Sequence, residues 1–576
     1  TTENMGVVVC GIFGGIGVTE AETFVALKNI QRGNDGITVS SYGNVVLGAR
    51  RHLVKISNKA GVSEGESDQP YESDDRSVVL VFNGELYNFD ELKKGVLADA
   101  RFTTEGDTEV WLRLYEKFGV DCYGLFDVDS MFSLAILDQN LNRLFVGRDW
   151  PGRVPLFYYY NEENRTFVFS SELKGMKTVP GIRLAQAKEL PSGHLISLDL
   201  QTFEMQIDRV IKANPIKGPE RPLLDIGKEL HAILHRSAKN RTMGDVPICT
   251  MLSGGLDSLL TTYYVLSNID FNSVSYRPTS YVFAVEGFDS PDVYRAKVAA
   301  EGFEDMGLTL REIRASEEQV VEDIPDIVTL FETREIKSLS VYPLPIYYYL
   351  GPEMHKDGFK VTIGGHGVDE LFGSYDAWKE LSVSHKTQTH LRSRLAFINA
   401  IYDNMLRRAS IIFMERGPIE ARFPFLQVDV CNFCLGIDPK WLSLTVKNAE
   451  ALVDLIQKRA GSRDQWGDKL PWIYDYLVRY LDNDGIHPED ADEHERGEVE
   501  KLFWKLPVMV AGMCAVEESS MPFHLLFNAK LRGQHGSGLT ALESRVVERY
   551  SDLGETDTEI YRHIVKEAFN LGPVAS

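Results

Sequence analysis

Apolar blocks and turn-forming residues alternate at short intervals over residues 1–212. Clear apolar blocks occur at 78–82 (VVLVF), 131–137 (MFSLAIL) and 144–146 (LFV), and helical spacing occurs between two of them, at 108–116. Short apolar runs bounded by turn residues are typical of strands that are buried in a sheet. The first part of the chain is therefore predicted to be β-rich, with packed sheets and helical stretches between the strands.

The pattern changes after residues 213–222, which have the Pro and Lys content of a linker. Residues 223–234 show the apolar spacing of a helix. Apolar strand candidates then alternate with helical stretches, at 246–252, 280–285, 308–313 and 359–363. This alternation predicts a parallel α/β sheet, and the chain beyond about residue 440 is predicted to be mostly helical. We therefore expect two domains, residues 1–212 and residues 223–576.

The composition of the chain narrows the classes of partner that it can have. With 576 residues, 44% hydrophobic content and a net charge of −23, it has the profile of an acidic globular protein. Nucleic acids and anionic membranes repel acidic surfaces, so neither is an expected partner. The sequence shows neither an apolar run of membrane-spanning length nor a secretory signal, and we expect a cytoplasmic protein.

The six cysteines are widely spaced, which is typical of a reducing compartment and not of a disulfide framework. Cys431 and Cys434 form a single CxxC pair within an apolar stretch. Without a second pair or a histidine cluster, such a pair is a weak signal for metal or redox chemistry. Both thiols are therefore expected to be structural and buried.

The apolar stretch 248–252 runs directly into the sequence SGGLDS. A Gly-rich turn between a buried strand and a helix lets the backbone amides approach a phosphate closely. Asp257 is an unusual residue beside an anion, and it fits this place if it binds Mg²⁺. The alternative is a strand–turn–helix connection without a ligand. The candidate phosphate-binding residues are Ser253, Gly254, Gly255, Asp257 and Ser258.

A second acidic site follows the strand candidate at 359–363, in the sequence GGHGVDELFG at 364–373. Its glycines, Gly365 among them, allow close approach of a nucleotide. Asp369 is predicted to complete a Mg²⁺ site with Asp257 at the carboxyl edge of the sheet, where α/β proteins bind their ligands. The alternative for either acid is a helix cap.

Motifs in both halves of the chain, in this order, resemble those of asparagine synthetase and its relative β-lactam synthetase. SGGLDS resembles the pyrophosphate-binding loop of the ATP pyrophosphatases, and GGHGVDELFG follows it as in that family. The resemblance extends over most of the chain. In the first half it rests on CGIFG (10–14), FNGELYN (82–88), GDTE (106–109) and SELK (171–174).

This resemblance implies a fold and a chemistry. The first domain is expected to be an Ntn-hydrolase-like αββα sandwich of the type 2 glutamine amidotransferase class, and the second an ATP pyrophosphatase-like α/β domain. The implied reaction uses ATP and Mg²⁺ to adenylate a carboxylate of a small amino-acid-like substrate, after which a nitrogen nucleophile attacks. The implied ATP site also includes Leu252, Val285, Gly365 and Lys469.

The first domain departs from the family at Cys10. In asparagine synthetase the nucleophilic cysteine is the first residue, because its free α-amine is the base, whereas Val9 precedes Cys10 here. A peptide nitrogen is not a base, so activation of the thiol is expected to fail unless residues 1–9 are removed. The expected outcome is a retained but inactive glutamine site. By the resemblance, its other members are Arg51, Asn83, Gly84 and Asp107.

The second domain departs from the family at His366. Asparagine synthetase has Glu at this position, and β-lactam synthetase has Tyr paired with a Glu that matches Glu420. Neutral imidazole is a base near pH 7, and a carboxylate partner orients it. We therefore predict a catalytic dyad of His366 and Glu420. The alternative is that Glu420 forms a structural ion pair with Arg422 or another neighbour and His366 merely packs.

Two lysines complete the predicted site. Lys530 begins the sequence KLRGQHGSG, which resembles the β-lactam synthetase segment that carries a catalytic lysine. It would stabilise charge that develops on the acyl-adenylate and on the ring-closing intermediate, and the glycines after it suit a loop that orders on binding. Lys469 would bind pyrophosphate. Surface lysines are the alternative for both.

These residues predict an ATP- and Mg²⁺-dependent amide synthetase that closes an intramolecular amide. The favoured product is a β-lactam of a natural-product pathway, with the tabtoxin type as a candidate. The alternatives are asparagine synthetase using glutamine or ammonia, a macrolactam-forming cyclase, and a catalytically inactive scaffold. A homodimer is one candidate assembly, and the sequence does not name the substrate.

Overall fold

The computed structural model describes the chain from Cys10 to Leu571 with internal gaps. The described residues are 10–32, 36–51, 69–104, 106–125, 128–216, 218, 220–243, 246–333, 341–374, 387–460, 472–517, 523–527 and 533–571. They form two domains that share a buried boundary. None of the helices in these ranges is long and apolar enough to cross a membrane.

The first domain contains two antiparallel sheets within the described residues, with strand orders β10-β8-β9-β1-β3-β2 and β12-β11-β7-β6-β5-β4. The strands are β1 Gly11–Ile16, β2 Gly36–Tyr42, β3 Val45–Arg51, β4 Tyr71–Glu72, β5 Val78–Leu86, β6 Ser130–Asp138, β7 Arg143–Arg148, β8 Phe157–Asn161, β9 Thr166–Ser170, β10 Lys188–Glu189, β11 His194–Asp199 and β12 Met205–Arg209.

Alternation along the strands builds the layers of this domain. On β5, Val79 and Val81 enter the core between the two sheets, whereas Leu80 and Phe82 enter the core under a helix. This is the two-residue period of a strand that is buried on both faces. Helices α2 (Phe89–Lys94) and α3 (Asp107–Phe118) cover one sheet, and α1 (Glu20–Asn29) and α4 (Leu173–Met176) cover the other. The predicted αββα sandwich is confirmed.

The second domain is built on a parallel sheet with the strand order β15-β14-β13-β16-β17. Its described strands are β13 Ile248–Met251, β14 Thr279–Val285, β15 Thr309–Ala315, β16 Val361–Ile363 and β17 Glu420–Arg422. Strands β14 and β15 lie on one side of β13, and strands β16 and β17, which come later in the chain, lie on its other side. Parallel sheets bind ligands at the carboxyl edge of such a switch point, which here is the edge between β13 and β16.

The predicted parallel α/β sheet is confirmed, and so is the largely helical part that follows it. The helices of the second domain are α5 Leu223–Arg241, α6 Leu256–Asn268, α7 Pro291–Gly302, α8 Glu317–Leu330, α9 Leu344–Lys356, α10 Val368–Phe372, α11 Thr387–Asn399, α12 Phe413–Arg416, α13 Val428–Gly436, α14 Val446–Ala460, α15 Trp472–Asp482, α16 Glu493–Trp504, α17 Leu506–Glu517, α18 Gly533–Gly536, α19 Glu543–Arg549 and α20 Asp557–Phe569. Two π-helical turns, Tyr402–Leu406 and Arg408–Ile412, precede α12.

The segment between the domains runs from the end of β12 at Arg209 to the start of α5 at Leu223. The domain boundaries at residues 212 and 223 stay predictions. Cys431 and Cys434 lie on α13 and are fully buried, as expected for structural thiols, and burial raises the pKa of both. Neither is paired in a disulfide.

Candidate active site

The SGGLDS sequence forms a tight turn between β13 and α6. Gly254 has φ +73°, and a Cβ there would lie 2.4 Å from the backbone of Arg295, so only glycine fits. The hydroxyl of Ser258 accepts from the amide of Ser253 at 3.2 Å and donates to the carbonyl of Gly255 at 3.0 Å. These bonds fix the turn at the start of a 13-residue helix, where backbone amides and the helix dipole favour an anion.

The second glycine-rich sequence follows β16 and meets the first. A Cβ at Gly365 would lie 2.8 Å from the backbone carbonyl of Asp257, so the two turns approach as closely as their backbones permit. Gly367, with φ +103°, then begins the short helix α10, which carries Asp369. Both turns line one cavity of about 230 Å³ at the carboxyl edge of the sheet.

The carboxylates of Asp257 and Asp369 converge on one ammonium group. Nζ of Lys505 lies 2.5 Å from Oδ2 of Asp257 and 2.7 Å from Oδ1 of Asp369. The lysine side chain is 5% exposed, so this is a buried arrangement. The structure thus brings together the two acids that the sequence predicts as metal ligands, and it adds a cation between them.

The acids fit a magnesium ion that is shared with a nucleotide. Oδ1 of Asp257 is buried and has no hydrogen-bond partner among the described residues. Hard carboxylate oxygens suit Mg²⁺, which commonly takes one or two of them and completes its coordination with phosphates and water. In the described part of the chain, no group of three or more His, Cys, Asp or Glu side chains is arranged so that it could hold a metal ion by itself. A magnesium ion here would therefore depend on ligands from the nucleotide.

His366 lines the same cavity and has an aromatic partner. Its Nε2 lies 2.8 Å from the hydroxyl of Tyr347 on α9, and its ring packs edge-on against Phe423 with centroids 5.0 Å apart. Burial raises the pKa of Tyr347, so its hydroxyl stays protonated at neutral pH. The pair places an oriented imidazole in the cavity that the SGGLDS turn also lines.

Glu420 does not join His366. It accepts a hydrogen bond from Nε of Arg422 at 2.5 Å and makes none to His366 within the described residues. Strand register explains this, because Glu420 pairs with Val361 at the start of β16, whereas His366 follows the end of that strand. The predicted dyad is not formed, and the ion pair with Arg422 that was its alternative is present.

Glu420 and Arg422 instead belong to a charged cluster at the boundary between the domains. Nη2 of Arg422 lies 3.7 Å from the carboxylate of Glu85, which is in the first domain. Nη1 donates to the backbone carbonyl of Arg241, whose own guanidinium pairs with Asp129 of the first domain at 2.6 Å. Burial raises the pKa of both Glu85 and Glu420. The cluster links the domains through buried charges.

Two backbone amides of the predicted nucleotide site are bonded within the protein. The amide of Leu252 donates to the carbonyl of Tyr281 at 3.0 Å, and that of Val285 donates to the carbonyl of Ser537 at 2.9 Å. The segment after α18 therefore covers the end of β14. Lys469 and Lys530 lie outside the described residues, and their roles stay predictions.

The predicted glutamine site lies at the ends of strands in the first domain. Cys10 is half-buried and directly precedes β1, and Arg51 ends β3. The side-chain amide of Asn83 donates to the hydroxyl of Ser171 at 3.0 Å. Gly84 has φ +146°, and a Cβ there would lie 1.9 Å from the carbonyl of Met131, so no other residue fits.

Asp107 completes this set at the start of α3. Its carboxylate accepts from the amide of Leu86 at 3.1 Å, and burial raises its pKa to about 6. The predicted glutamine-binding residues are thus held by strand ends and by a helix start. Whether they act on glutamine stays a prediction.

Comparison with known proteins identifies both domains. Residues 9–212 match the family described as glutamine amidotransferase domain, and residues 229–410 match the family described as asparagine synthase. The chain is thus similar to asparagine synthetases over both of its domains. The match of the second domain to asparagine synthase implies an ATP-dependent, amide-forming ligase, which is consistent with the glycine-rich SGGLDS turn between β13 and α6.

Full-length relatives are similar over most of the chain. Asparagine synthetase [glutamine-hydrolyzing] 1 from Arabidopsis thaliana is 26% identical over 488 residues, which cover 83% of this chain and 78% of that protein. Asparagine synthetase B from Escherichia coli strain K12 is 28% identical over 446 residues, which cover 75% and 76%. A solved allosteric regulatory enzyme of purine biosynthesis is similar at 15% identity over 53% of this chain and 80% of its own, with a TM-score of 0.30.

One functional candidate, Lys505, was missed from the sequence, and Tyr347 was not singled out within its aromatic run. Lys501 lines the cavity from α16, and Lys505 lines it from the position directly after that helix. Tyr347 supports His366 from α9. A signal existed for Lys505, which is a lone lysine in the apolar sequence LFWKLPVMV at 502–510. A charged residue in such a stretch is buried only when it is paired. Tyr347 lies in the aromatic run 342–349, which the sequence alone does not distinguish from core.

Proposed function

We propose that this chain is an ATP- and Mg²⁺-dependent ligase that activates a substrate carboxylate as an acyl-adenylate and transfers it to nitrogen. The observation that carries this proposal is the convergence of the SGGLDS turn, Asp257 and Asp369 on one cavity. Amides at the start of α6 would hold the pyrophosphate, and the two carboxylates would hold Mg²⁺. The ion, when bound, offsets the negative charge of the phosphates.

Aspartate is the substrate that the relatives favour, with asparagine as the product. The curated relatives are named glutamine-hydrolyzing asparagine synthetases, and this chain spans more than three quarters of their lengths. A small amino acid is the proposed substrate both for this reaction and for the second candidate described below. We propose ammonia and not glutamine as the nitrogen donor, because Cys10 lacks a free α-amine while Val9 is attached.

His366 is the proposed general base for the attacking nitrogen. With the proton of Nε2 donated to the hydroxyl of Tyr347, the lone pair of the imidazole lies on Nδ1. Nδ1 then takes the proton that the nitrogen releases as the new C–N bond forms and AMP leaves. Tyr347 positions the ring and does not itself exchange the proton.

A second candidate is closure of an internal amide, such as a β-lactam. The observation that favours it is His366 itself, which stands where the sequence resemblance places Glu in asparagine synthetase. A base of this kind serves an amine of the substrate as well as it serves ammonia. The proposed activation step is identical in both candidates, so they differ in the source of the nitrogen.

The test measures AMP and pyrophosphate with the full chain, ATP and Mg²⁺. Aspartate with ammonium is expected to give AMP, pyrophosphate and asparagine in equal amounts. Pyrophosphate that forms only with a diamino acid substrate, and without ammonium, would favour the second candidate. An enzyme that releases no pyrophosphate with aspartate or with a panel of amino acids that carry a second amine would sink the proposal.

A further inference from the structure

Lys505 is held in place by the helices on both sides of it. Its amide donates to the carbonyl of Leu502 at 3.1 Å at the end of α16, and its carbonyl accepts from the amide of Met509 at 3.0 Å in α17. The residue therefore lies at a fixed junction, and its side chain is 5% exposed. A buried lysine at such a junction has little freedom, so the position of its ammonium group is part of the fold.

The ammonium group compensates charges that otherwise repel each other. Asp257 and Asp369 have side chains only 20% and 10% exposed, and two carboxylates this close disfavour each other's charge. Within the described residues, Nζ of Lys505 contacts both of them. Because ammonium carries three donors, it can satisfy two carboxylates and still donate to a phosphate oxygen.

A metal ion and this ammonium group would compete for the same carboxylate oxygens. Magnesium binds carboxylate oxygen at about 2.1 Å, whereas Nζ already lies 2.5 Å and 2.7 Å from one oxygen of each acid. Two cations on these oxygens would be separated by only a few Å and would repel strongly. Extra negative charge, such as that of a triphosphate, removes the conflict because it gives the ammonium a new acceptor.

We propose that Lys505 is an internal counter-cation of the metal site, which excludes a divalent ion from Asp257 and Asp369 until a nucleotide brings its phosphates. The inference rests on the proposed function, since it assumes that these acids bind the metal of a metal–nucleotide complex. It assigns Lys505 a positioning role. Before binding, Lys505 holds the acids together, and after binding it donates to the phosphates.

The test measures binding of Mn²⁺ to the full chain by electron paramagnetic resonance, without turnover. Wild-type protein is expected to bind Mn²⁺ weakly alone and at least tenfold more tightly with the α,β-methylene analogue of ATP. Lys505→Gln is expected to bind Mn²⁺ at least tenfold more tightly than wild type without nucleotide. Its dependence on the analogue should fall by the same factor, because its affinity for Mn²⁺ with the analogue bound is expected to match that of wild type.

Lys501→Gln is the matched control, since it removes a lysine from the same cavity and the same part of the chain. Nζ of Lys501 lies 3.5 Å from Glu498 and its side chain is 33% exposed. Its loss should change Mn²⁺ affinity without nucleotide less than twofold. Equal gains in both variants would overturn the inference, because they would reveal a general charge effect instead of direct competition.

The wild-type measurement keeps the inference falsifiable if Lys505→Gln does not fold. Tight Mn²⁺ binding by wild type without nucleotide, abolished in Asp257→Asn, would overturn it directly. Failure of the proposed function looks different, because it appears as the absence of pyrophosphate with every substrate. Mn²⁺ binding that requires the nucleotide analogue would then still support the role of Lys505.

Discussion

Nε2 of His366 lies 2.8 Å from the hydroxyl oxygen of Tyr347, and the imidazole lines the cavity that contains Asp257 and Asp369. Because burial raises the pKa of Tyr347, this partner is a neutral hydroxyl at physiological pH. A carboxylate partner would orient the imidazole equally well but would add another negative charge beside the phosphates. The tyrosine orients the base without that cost.

Tyr347→Phe should slow amide formation and leave activation intact. The variant keeps the ring and removes the hydroxyl that orients His366, so we expect a loss of about tenfold to a hundredfold in kcat for amide formation. Exchange of pyrophosphate into ATP, which needs only the activation step, should stay within about twofold of wild type. Both rates are measured on the same preparation with aspartate and ammonium.

Tyr349→Phe is the matched control, because Tyr349 lies on the same helix and donates to Asp323 at 2.7 Å instead of to His366. It should leave both rates unchanged. An equal loss in the two variants would show that α9 tolerates no loss of a hydroxyl, and the role of Tyr347 as a positioning residue would be wrong.

Features that depend on near neighbours in the sequence could be predicted. The SGGLDS turn follows directly from β13, and the glycines that permit its geometry lie within it. Partners from distant segments could not be predicted, since Lys505 is 248 residues from Asp257 and only the packing of α16 and α17 brings them together. Tyr347 is 19 residues from His366, and the aromatic run around it gave no reason to choose one ring.

The failed dyad of His366 and Glu420 has a specific cause. The chemistry of an imidazole and a carboxylate is sound, but the sequence does not contain the register between β16 and β17. β17 has only three residues, too few for its alternation to be recognised in the sequence. In the folded chain Glu420 lies opposite Val361, away from the carboxyl edge where the ligand cavity lies.

Glu420→Gln should therefore lower stability more than it lowers activity. It removes one charge of a buried ion pair and leaves Arg422 without its nearest carboxylate, which costs about 3 kcal/mol in the free energy of unfolding. Denaturant unfolding measures this loss. The folded fraction of the variant should exchange pyrophosphate into ATP at close to the wild-type rate.

Asp454→Asn provides the comparison for this stability measurement. Asp454 pairs with Lys458 on the surface of α14, with side chains 54% and 70% exposed, and exposed pairs contribute less than about 1 kcal/mol. If Glu420→Gln lost amide formation with unchanged stability, Glu420 would have a chemical role that its contacts do not indicate.

Gly254→Ala should weaken ATP binding. Its Cβ would lie 2.4 Å from the backbone of Arg295, so the turn has to shift, and the amides that face the phosphates shift with it. We expect at least a tenfold rise in the dissociation constant of ATP by calorimetry. Gly287→Ala is the control, because Gly287 has nearly the same φ of +74° but open space around it. An equal effect in both variants would assign the loss to backbone strain alone.

Asp292 should give the protein a pH-dependent stability. It lies beside the end of α18, where a Cβ on Gly536 would lie 2.2 Å from its carboxyl carbon, and burial raises its pKa to about 7. An unfolded aspartate titrates near pH 4, so between about pH 4 and pH 7 the folded protein keeps a proton that the unfolded chain releases. The stabilisation that this proton gives to the folded state is complete below pH 4 and is lost as the pH rises to 7.

Asp292→Asn isolates this contribution, because an amide does not titrate. From pH 4 to pH 8, the unfolding free energy of wild type should fall by roughly 4 kcal/mol relative to that of the variant. Each unit of pKa difference corresponds to about 1.4 kcal/mol. Parallel urea titrations across that range measure it. A difference that stays constant with pH would mean that Asp292 is ionised throughout. Its contact with Gly536 at the end of α18 would then be an interaction of a charged carboxylate with backbone, which the burial of this site disfavours.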